Sequence, residues 1–453
     1  MLTNEEGLYR SLSRSVVVPT GADSKAWSTD EIERFVDSVN EIFDPHEVAM
    51  NDAYIKRKSS HGASIDEWVK NTIAASTVQI LLTGDSGVGK TNMLAYWAAY
   101  LKKRMVVCGV SSESTLLELV QEKIDEIAGV TESVTEIEEQ SAKDKSAEAE
   151  VKPLLARIKE THQRRVVSKP SIRSLKKMLA SVMVENDVQV ILFDNLQNLD
   201  PGERRQLGDL MEGFADLKNE WLIEGVDFPF VPKIVAAGVD MDIEDLYSNN
   251  DSRQRRIQSR HLDHMENDEI AEIARKGFEK LEVEITPEAI DEISFYSDGF
   301  PFYVKRICNA VASYWAETEA TSIDKPTVDA AIRRENLLVD KSVEERLKSS
   351  KSAKDDAIRP RVLQLLANSD RQVFTTSDVT RDWPAHGKAP TTQAVLNEIT
   401  NLVDGGILKQ TRFDTKPYEY AFRDPSIRPY LRMNPIIDIF SEMDGGDDVL
   451  EAE

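Results

Sequence analysis

The sequence predicts an α/β fold in which helices cover a parallel β-sheet. Short, nearly continuous apolar runs, which are typical of strands buried on both faces, alternate with segments of helical periodicity. The first run, Val78-Gln-Ile-Leu-Leu-Thr83, ends at a glycine-rich turn that leads into a helix. Further strands are predicted at 104–109, 188–193 and 233–237, and helices at 91–101, 115–127 and 207–218.

The composition limits the class of protein. The 453 residues include 56 Lys and Arg against 80 Asp and Glu, which gives a net charge of −24. A hydrophobic content of 41% with 30% charged residues is typical of a globular protein with a sizeable core. Two cysteines exclude a disulfide framework and favour a reducing, cytoplasmic location. No apolar run reaches the roughly 18 residues of a membrane helix, so no membrane partner is expected. An acidic chain also repels nucleic acid except through a local basic patch.

The composition changes along the chain. Between Glu132 and Glu150 seven acids stand against two lysines, which predicts a solvated insertion. From Ser441 to Glu453 there are six acids and no base, which predicts a disordered tail. The predicted organisation is a helical N-terminal extension at 1–75, an α/β core at 76–262 with the acidic insertion at about 130–170, a helical domain at 263–340, a further domain at 354–434 and the acidic tail at 441–453.

The glycine-rich turn, Gly84-Asp-Ser-Gly-Val-Gly-Lys-Thr91, fits the pattern G-x-x-x-x-G-K-[ST] between a strand and a helix. Its glycines let the backbone curl so that successive N–H groups point at phosphate oxygens, and the following helix adds its dipole. Lys90 is expected to reach the β- and γ-phosphates, and the Thr91 hydroxyl to bind Mg²⁺. The predicted cofactors are therefore ATP and Mg²⁺. The predicted nucleotide-binding residues of this turn are Gly84, Asp85, Ser86, Gly87, Val88, Gly89, Lys90, Thr91 and Asn92.

An acidic residue follows the predicted strand at 188–193. A carboxylate there costs desolvation unless it is paired or holds a metal, so Asp194 is predicted to be the second Mg²⁺ ligand beside Thr91. The alternative is an aspartate that caps a helix or turn. Most hydrolytic NTPases with such a phosphate-binding loop place a glutamate next, as the base that activates water, whereas this chain has Asn195. Because an amide accepts no proton, Asn195 is predicted to position water, and hydrolysis is predicted to be slow or to need a partner.

With these motifs the chain resembles the AAA+ ATPases over about residues 75–320, and among them the clade of origin-recognition initiators and transposition-regulator ATPases. Ile257-Gln-Ser-Arg260 is similar to the Ser-Arg box of that family. The resemblance implies a homo-oligomer in which Arg260 acts catalytically on the γ-phosphate held by a neighbouring subunit, where a delocalised cation stabilises phosphoryl charge. The alternative is a solvated basic turn made of Arg253, Arg255, Arg256 and Arg260.

The resemblance also implies a helical lid after the core, with the segment 261–285 as its first helix. Ser297-Asp-Gly-Phe-Pro-Phe-Tyr-Val-Lys-Arg306 stands in the place of the family's sensor-2 motif, but Phe302 occupies the position of its arginine. Lys305 or Arg306, one helical turn further on, is expected to substitute, and Lys305 is included among the nucleotide-binding residues. At the sensor-1 position the best candidate is Asp240.

The C-terminal segment differs in charge from the rest of the chain, with twelve bases and ten acids between residues 354 and 432. Helices predicted at 357–367, from 375 and at 391–403 precede a hairpin at 405–422, an order that describes a winged helix. If this segment binds DNA, its third helix enters the major groove and the wing meets phosphates. The alternative is a winged helix that binds a partner protein. The candidate DNA contacts are Thr391, Thr392, Gln393, Asn397 and Thr400 on the helix, and Lys409, Arg412 and Lys416 on the wing.

These observations favour an ATP-binding and ATP-hydrolysing switch that assembles with ATP, on DNA or without it, and regulates a partner protein. The alternative is a largely non-hydrolysing signalling or antiviral-defence ATPase that gates an effector protein through its winged helix. Asn195 and the acidic surface are compatible with the second hypothesis. A steep salt dependence of DNA binding would favour the first.

Overall fold

The computed structural model describes residues 28–49, 51–57, 64–75, 78–129, 172–225, 229–239, 243–247, 251–318, 320–335, 347, 358–369, 371–383, 390–412 and 417–434. The chain forms two compact units. One unit runs from Val48 to Asp263, and we call it the inner unit because its sequence lies between the two parts of the other. The other, which we call the outer unit, joins the residues up to Glu47 with those from His264 onward. The chain therefore passes between the two units twice.

A five-stranded parallel sheet forms the centre of the inner unit. Its strands are β1 (Gln79–Thr83), β2 (Met105–Gly109), β3 (Val190–Asp194), β4 (Lys233–Gly238) and β5 (Ile257–His261). Their order in the sheet is β2-β3-β4-β1-β5, and every neighbouring pair is parallel. The predicted α/β fold is therefore confirmed. Helix α1 (Thr29–Phe43) belongs to the outer unit. The described helices of the inner unit are α2 (Ile65–Ala74), α3 (Lys90–Tyr100), α4 (Leu116–Ile127), α5 (Ile172–Glu185), α6 (Pro201–Glu224), α7 (Ile243–Tyr247) and α8 (Asp251–Arg256).

All four predicted strands are present, but some boundaries differ. Strand β3 ends at Asp194, so this carboxylate is the last residue of the strand. Helix α6 is longer than the predicted 207–218. It begins at Pro201 because Asp200 and Glu203 form a capping box, and it ends where Gly225 adopts a left-handed conformation.

Strand β5 was not predicted. Only Ile257 of its five residues is buried, and it lies at the edge of the sheet beside β1. Its register pairs Leu82 with Arg260.

The core of the inner unit lies between the sheet and its helices. Every residue of β1 and β4 is buried, as is every residue of β3 before Asp194. Helices α4, α5 and α6 pack on this sheet through apolar side chains that include Leu119, Leu179, Leu207 and Phe214. The burial of both faces explains why these strands have nearly continuous apolar sequences.

A buried lysine joins β4 to the end of α2. The Nζ atom of Lys233 donates hydrogen bonds to the carbonyl oxygens of Val78, at 2.6 Å, and of Thr72. Burial, and then the nearby positive charge of Lys103, lowers the pKa of Lys233 to about 7.

The outer unit packs an N-terminal helix, α1 (Thr29–Phe43), against helices that come after the inner unit in sequence. The rings of Phe35 and Trp315 lie 5.7 Å apart, and those of Phe43 and Phe278 lie 5.1 Å apart. The predicted extension at 1–75 is thus divided, with α1 in the outer unit and α2 in the inner unit. The helices of the predicted lid are α9 (Asn267–Lys280), α10 (Pro287–Ser297), α11 (Pro301–Ala316) and α12 (Lys325–Glu335), with the short strands β6 (Glu284–Ile285) and β7 (Ser322–Ile323).

The three helices and the hairpin predicted near the C-terminus are present, and a fourth helix follows them. They are α13 (Ile358–Asn368), α14 (Thr376–Arg381), α15 (Thr392–Asp404), β8 (Leu408–Arg412), β9 (Glu419–Phe422) and α16 (Ile427–Met433). Strands β8 and β9 are antiparallel. A buried ion pair between Arg359 and Glu398 joins α13 to α15. That this module is a winged helix stays a prediction.

Helix α16 fixes the C-terminal module to the lid helices. Arg428 and Arg432 both place Nη1 near the Oδ1 atom of Asp298, at 3.2 and 3.1 Å, and all three side chains are buried. Arg432 also donates from Nε to the Ala367 carbonyl at 2.7 Å. Asp298 follows α10 and belongs to the segment predicted to replace the sensor-2 motif, so its carboxylate is engaged in holding α16.

Several predicted features lie outside the described residues. These are the acidic insertion at 132–150, the acidic tail at 441–453 and Asp240. Within the described ranges, no helix is both long enough and apolar enough to cross a membrane.

Candidate nucleotide-binding site

The glycine-rich turn connects β1 to α3 in the geometry that its sequence predicts. Strand β1 ends at Thr83, the turn follows, and α3 begins at Lys90. Gly84 and Gly89 have φ angles of 142° and 97°, which side chains larger than hydrogen rarely tolerate. Gly84 also lies so close to the backbone that follows β5 that a Cβ atom there would be 2.4 Å from the carbonyl oxygen of Leu262. The turn therefore requires glycine at Gly84 for two independent reasons.

The side chain of Lys90 folds back over this turn. Its Nζ atom donates hydrogen bonds to the carbonyl oxygens of Gly84, at 2.9 Å, and Asp85, at 2.8 Å. The lysine is buried, whereas Ser86 and Gly87 are exposed. The ammonium group is thus held at the turn by carbonyl oxygens, where a phosphate group would offer stronger acceptors.

Thr91 and Asp194, the two predicted Mg²⁺ ligands, are in direct contact. The Oγ1 atom of Thr91 donates a hydrogen bond of 2.6 Å to Oδ2 of Asp194. Thr91 is the second residue of α3 and Asp194 ends β3, and the two meet because the carboxyl ends of parallel strands share one edge of the sheet. Hydroxyl and carboxylate oxygens are the ligands that Mg²⁺ prefers, so the pair fits such an ion.

Asn195 lies at the exposed end of the same strand. Its φ of 66° is in the left-handed region, which asparagine tolerates better than most residues. Its backbone N–H donates to Oδ1 of Asp194 at 2.9 Å, and its side-chain oxygen accepts from Gln197 at 3.3 Å. The residue after Asp194 thus offers an amide, which can hydrogen-bond to water, and no carboxylate that could accept a proton.

Asn92 and Lys305 have partners other than those predicted for nucleotide ligands. Oδ1 of Asn92 accepts a hydrogen bond of 2.6 Å from the backbone N–H of Ala49. Nζ of Lys305 donates to the carbonyl oxygens of Asp44 and Glu47, at 2.8 and 2.9 Å. Burial lowers the pKa of Lys305. Both side chains hold the segment after α1, and their nucleotide contacts stay predictions.

Arg260 lies within β5 and is exposed. Its guanidinium carbon is 5.2 Å from the ring centre of Trp68, and Nη1 donates to the carbonyl oxygen of Ser259 at 3.2 Å. Among the described residues it forms no ion pair with an acid. By contrast, Arg253 pairs with Asp209 and Glu212, and Arg256 pairs with Glu212 and Asp216, all on α6.

A buried carboxylate, absent from the sequence predictions, supports the turn from behind. Asp66 accepts hydrogen bonds from the Tyr54 hydroxyl and the Trp97 indole N–H, both at 2.6 Å, and from the backbone N–H of Arg57 at 2.5 Å. Burial, followed by the charge of Asp66, raises the pKa of Tyr54. One signal could have revealed Asp66, because it shares the buried face of α2 with Val69 and Ile73 at helical spacing.

The contacts of the Arg57 side chain were also not predicted from the sequence. Its guanidinium donates from Nη1 to the carbonyl oxygen of Val88 at 3.3 Å, and from Nη2 to the carbonyl oxygen of Asp263. The sequence shows only a short basic cluster at 56–58, which gives no indication that one of its members is buried against the glycine-rich turn.

Comparison with known proteins agrees with this arrangement. Residues 62–239 match the model of the KAP family P-loop domain. A search of curated proteins found no match. Among solved structures, the chain is similar to a Walker-type ATPase of Pyrococcus abyssi, with 16% identity and a TM-score of 0.47, over 86% of this chain and 99% of that one.

Two further solved structures come from Aeropyrum pernix. The Orc2 protein in its ADPNP–ADP complexes shows 13% identity and a TM-score of 0.42, over 87% of this chain and 98% of that one. The Orc1 protein in complex with DNA shows 12% identity and a TM-score of 0.40, over 83% and 93%. The family match spans the glycine-rich turn, which is a phosphate loop, and the strand that ends at Asp194. Residues 62–239 therefore have the fold of a P-loop NTPase domain and match the model of the KAP family P-loop domain.

Proposed function

We propose that this protein is an ATP-binding switch whose Mg·ATP occupancy controls its assembly and its action on a partner. The hydrogen bond between Thr91 and Asp194 carries the proposal, because it brings together the two oxygen ligands that a Mg·ATP site needs. Lys90, already held at the phosphate loop, supplies the cation for the β- and γ-phosphates.

Hydrolysis in this proposal is slow. A general base must accept a proton from the attacking water, and the residue after Asp194 is an amide. Asn195 can orient a water molecule through its side chain, which supports positioning without proton transfer. The long-lived ATP state that results suits a switch better than a motor.

Assembly in this proposal places Arg260 at the ATP of a neighbouring copy. Its support is the contrast among the four arginines of this region. Arg253 and Arg256 are held by acids of α6, whereas Arg260 is exposed and, among the described residues, its guanidinium contacts the Trp68 ring and the Ser259 carbonyl oxygen rather than an acid. An exposed guanidinium keeps its fork of donors available for a phosphate of another molecule.

The partner in this proposal is a protein that contacts the C-terminal module. Helix α15 offers polar side chains without a base, and two of them, Gln393 and Asn397, hydrogen-bond to each other at 2.8 Å. Lys409 is half-buried on β8, while Lys416 and the side chain of Arg412 lie outside the described residues. Because α15 carries no base, a partner protein is the first candidate and DNA binding through this module the second, and a cytoplasmic signalling or defence role fits the first.

Equilibrium binding of a fluorescent ATP analogue, with Mg²⁺ and with EDTA, tests the proposal. Wild-type protein should bind, and binding should weaken without Mg²⁺. Lys90→Ala should lose nucleotide retention, whereas Lys177→Ala, an exposed lysine of the same unit, should bind like wild type. Unchanged affinity of Lys90→Ala would contradict the assignment of the phosphate loop. Size measurement with ATP, with and without duplex DNA, tests the assembly.

A further inference from the structure

We propose that Arg57 is a positioning residue that couples occupation of the phosphate loop to the chain connection at Asp263–His264. This inference rests on the proposed ATP binding and concerns its regulation. The connection is one of only two places where the chain passes between the inner and outer units. A residue that touches both the loop and this connection can transmit a change at one to the other.

The guanidinium group of Arg57 makes both contacts. It is buried, with one nitrogen directed at the carbonyl oxygen of Val88 and another at that of Asp263. Val88 belongs to the phosphate loop, and Asp263 is the last residue of the inner unit. Because the guanidinium is planar and rigid, displacement of one carbonyl changes the geometry of the other hydrogen bond.

The backbone of Arg57 gives this bridge a fixed base. Its N–H donates to Asp66, which also accepts from Trp97 near the end of α3. Asp66 lies on α2, so these hydrogen bonds tie the Arg57 backbone to α2 and, through Trp97, to α3, the helix that begins at the phosphate loop. The buried carboxylate therefore prevents the Arg57 backbone from absorbing a shift of the loop.

The carbonyl that Arg57 contacts belongs to a functional peptide unit. The peptide bond between Val88 and Gly89 contributes the Gly89 N–H, which is one of the donors to phosphate under the proposed function. A hydrogen bond to the carbonyl oxygen polarises this peptide and strengthens its N–H as a donor. Phosphate binding and the Arg57 contact therefore reinforce each other.

A second contact joins the same two regions. The N–H of Leu262 donates to the carbonyl oxygen of Thr83 at 2.8 Å, immediately before the loop begins. The carbonyl oxygen of Leu262 packs against Gly84, with no room for a Cβ atom. Residues 262–263 thus lie directly against the loop, so the Asp263 carbonyl that Arg57 contacts belongs to a segment packed on the phosphate site.

Hydrogen–deuterium exchange of the full chain, with and without Mg·ATP, tests this coupling. In wild-type protein ATP should slow exchange in peptides covering 84–100 and also in those covering 258–268, which include the hydrogen-bonded amide of Leu262. Arg57→Lys keeps the charge but loses the planar fork, so it should bind ATP and protect 84–100 while losing the protection at 258–268. Arg253→Lys, another buried arginine of the inner unit, should keep both effects.

The outcomes separate this inference from the proposed function. If ATP does not slow exchange at 84–100 in wild-type protein, both the proposed ATP binding and the coupling are contradicted. Slowing at 84–100 without slowing at 258–268 would overturn the coupling alone, and so would an Arg57→Lys protein that behaves like wild type or loses protection equally in both regions. Should Arg57→Lys fail to fold, an ATP titration of wild-type protein decides. A shared midpoint for both regions supports the coupling, and different midpoints contradict it.

Discussion

Substitution of Gly84 by alanine tests how strictly the backbone of the phosphate loop is defined. Two effects act at this position. The φ angle of 142° is unfavourable for alanine, and the added Cβ would stand 2.4 Å from the carbonyl oxygen of Leu262. Because that oxygen belongs to the backbone, it cannot rotate away as a side chain could. We expect a strain cost of about 1–3 kcal/mol and an overpacking cost of about 1–3 kcal/mol.

Three other glycines separate these two effects. Gly225→Ala meets nothing within 4 Å but has a φ of 69°, so it should cost only the left-handed strain, about 1–2 kcal/mol. Gly208→Ala meets the carbonyl oxygen of Leu246 at 2.3 Å without a positive φ, so it isolates the overpacking, offset by about 1 kcal/mol of helix propensity. Gly109→Ala has neither problem and serves as the baseline.

Urea unfolding followed by tryptophan fluorescence gives the free energy of unfolding for each variant. Gly84→Ala should lose about 2–6 kcal/mol, the sum of the two contributions estimated above, and should also bind ATP more weakly because its loop is displaced. A Gly84→Ala protein as stable as Gly225→Ala would refute the reasoning, since it would mean that residues 262–263 yield to the loop without cost.

Three further predictions concern the reaction, assembly and pH. Wild-type turnover should lie well below the ~10 s⁻¹ of a typical enzyme. Asn195→Glu should raise the rate of phosphate release because it supplies a carboxylate. Asn195→Asp supplies one too, and aspartate tolerates the left-handed backbone better than glutamate. A fast wild-type rate of hydrolysis would contradict this prediction. Arg260→Ala should weaken ATP-induced assembly, measured by light scattering, but leave ATP affinity unchanged; normal assembly would move the role to Arg255. For Lys233, the pKa of about 7 in the folded chain lies below its ordinary value of 10.5. The unfolded chain therefore binds more protons between these values, and stability from this group rises with pH. Lys233→Met should remove about 2 kcal/mol of that gain between about pH 7 and 9, measured by urea unfolding. If the free energy of unfolding of Lys233→Met depends on pH as that of wild type does, Lys233 is not neutral in the folded protein.

The parts of the site that depend on strand ends could be predicted from the sequence. Asp194 ends one buried apolar strand and Thr91 follows the turn after another, and parallel strands bring their carboxyl ends to one edge. Strand β5 could not be predicted, because an edge strand with Ile257 as its one buried residue has no apolar run. The fold is thus readable where burial imposes a pattern on both faces of a strand.

The supporting contacts could not be predicted, because they join side chains to backbone atoms far away in sequence. Arg57 contacts carbonyl oxygens of Val88 and Asp263, and every residue has a carbonyl that could serve. For the same reason the family position of Lys305 gave no indication that its ammonium group would hold Asp44 and Glu47. No residue pattern marks such acceptors.

The double passage of the chain between its two units has a consequence for synthesis on the ribosome. Helix α1 emerges before the inner unit, but the aromatic residues that pack on it, Phe278 and Trp315, emerge only after the whole of that unit. Phe35 and Phe43 therefore stay exposed to water while the sheet and the phosphate loop are translated and fold. During that interval the chain already holds the parts of a nucleotide site while the apolar face of α1 is still uncovered, which makes this face a binding surface for a chaperone.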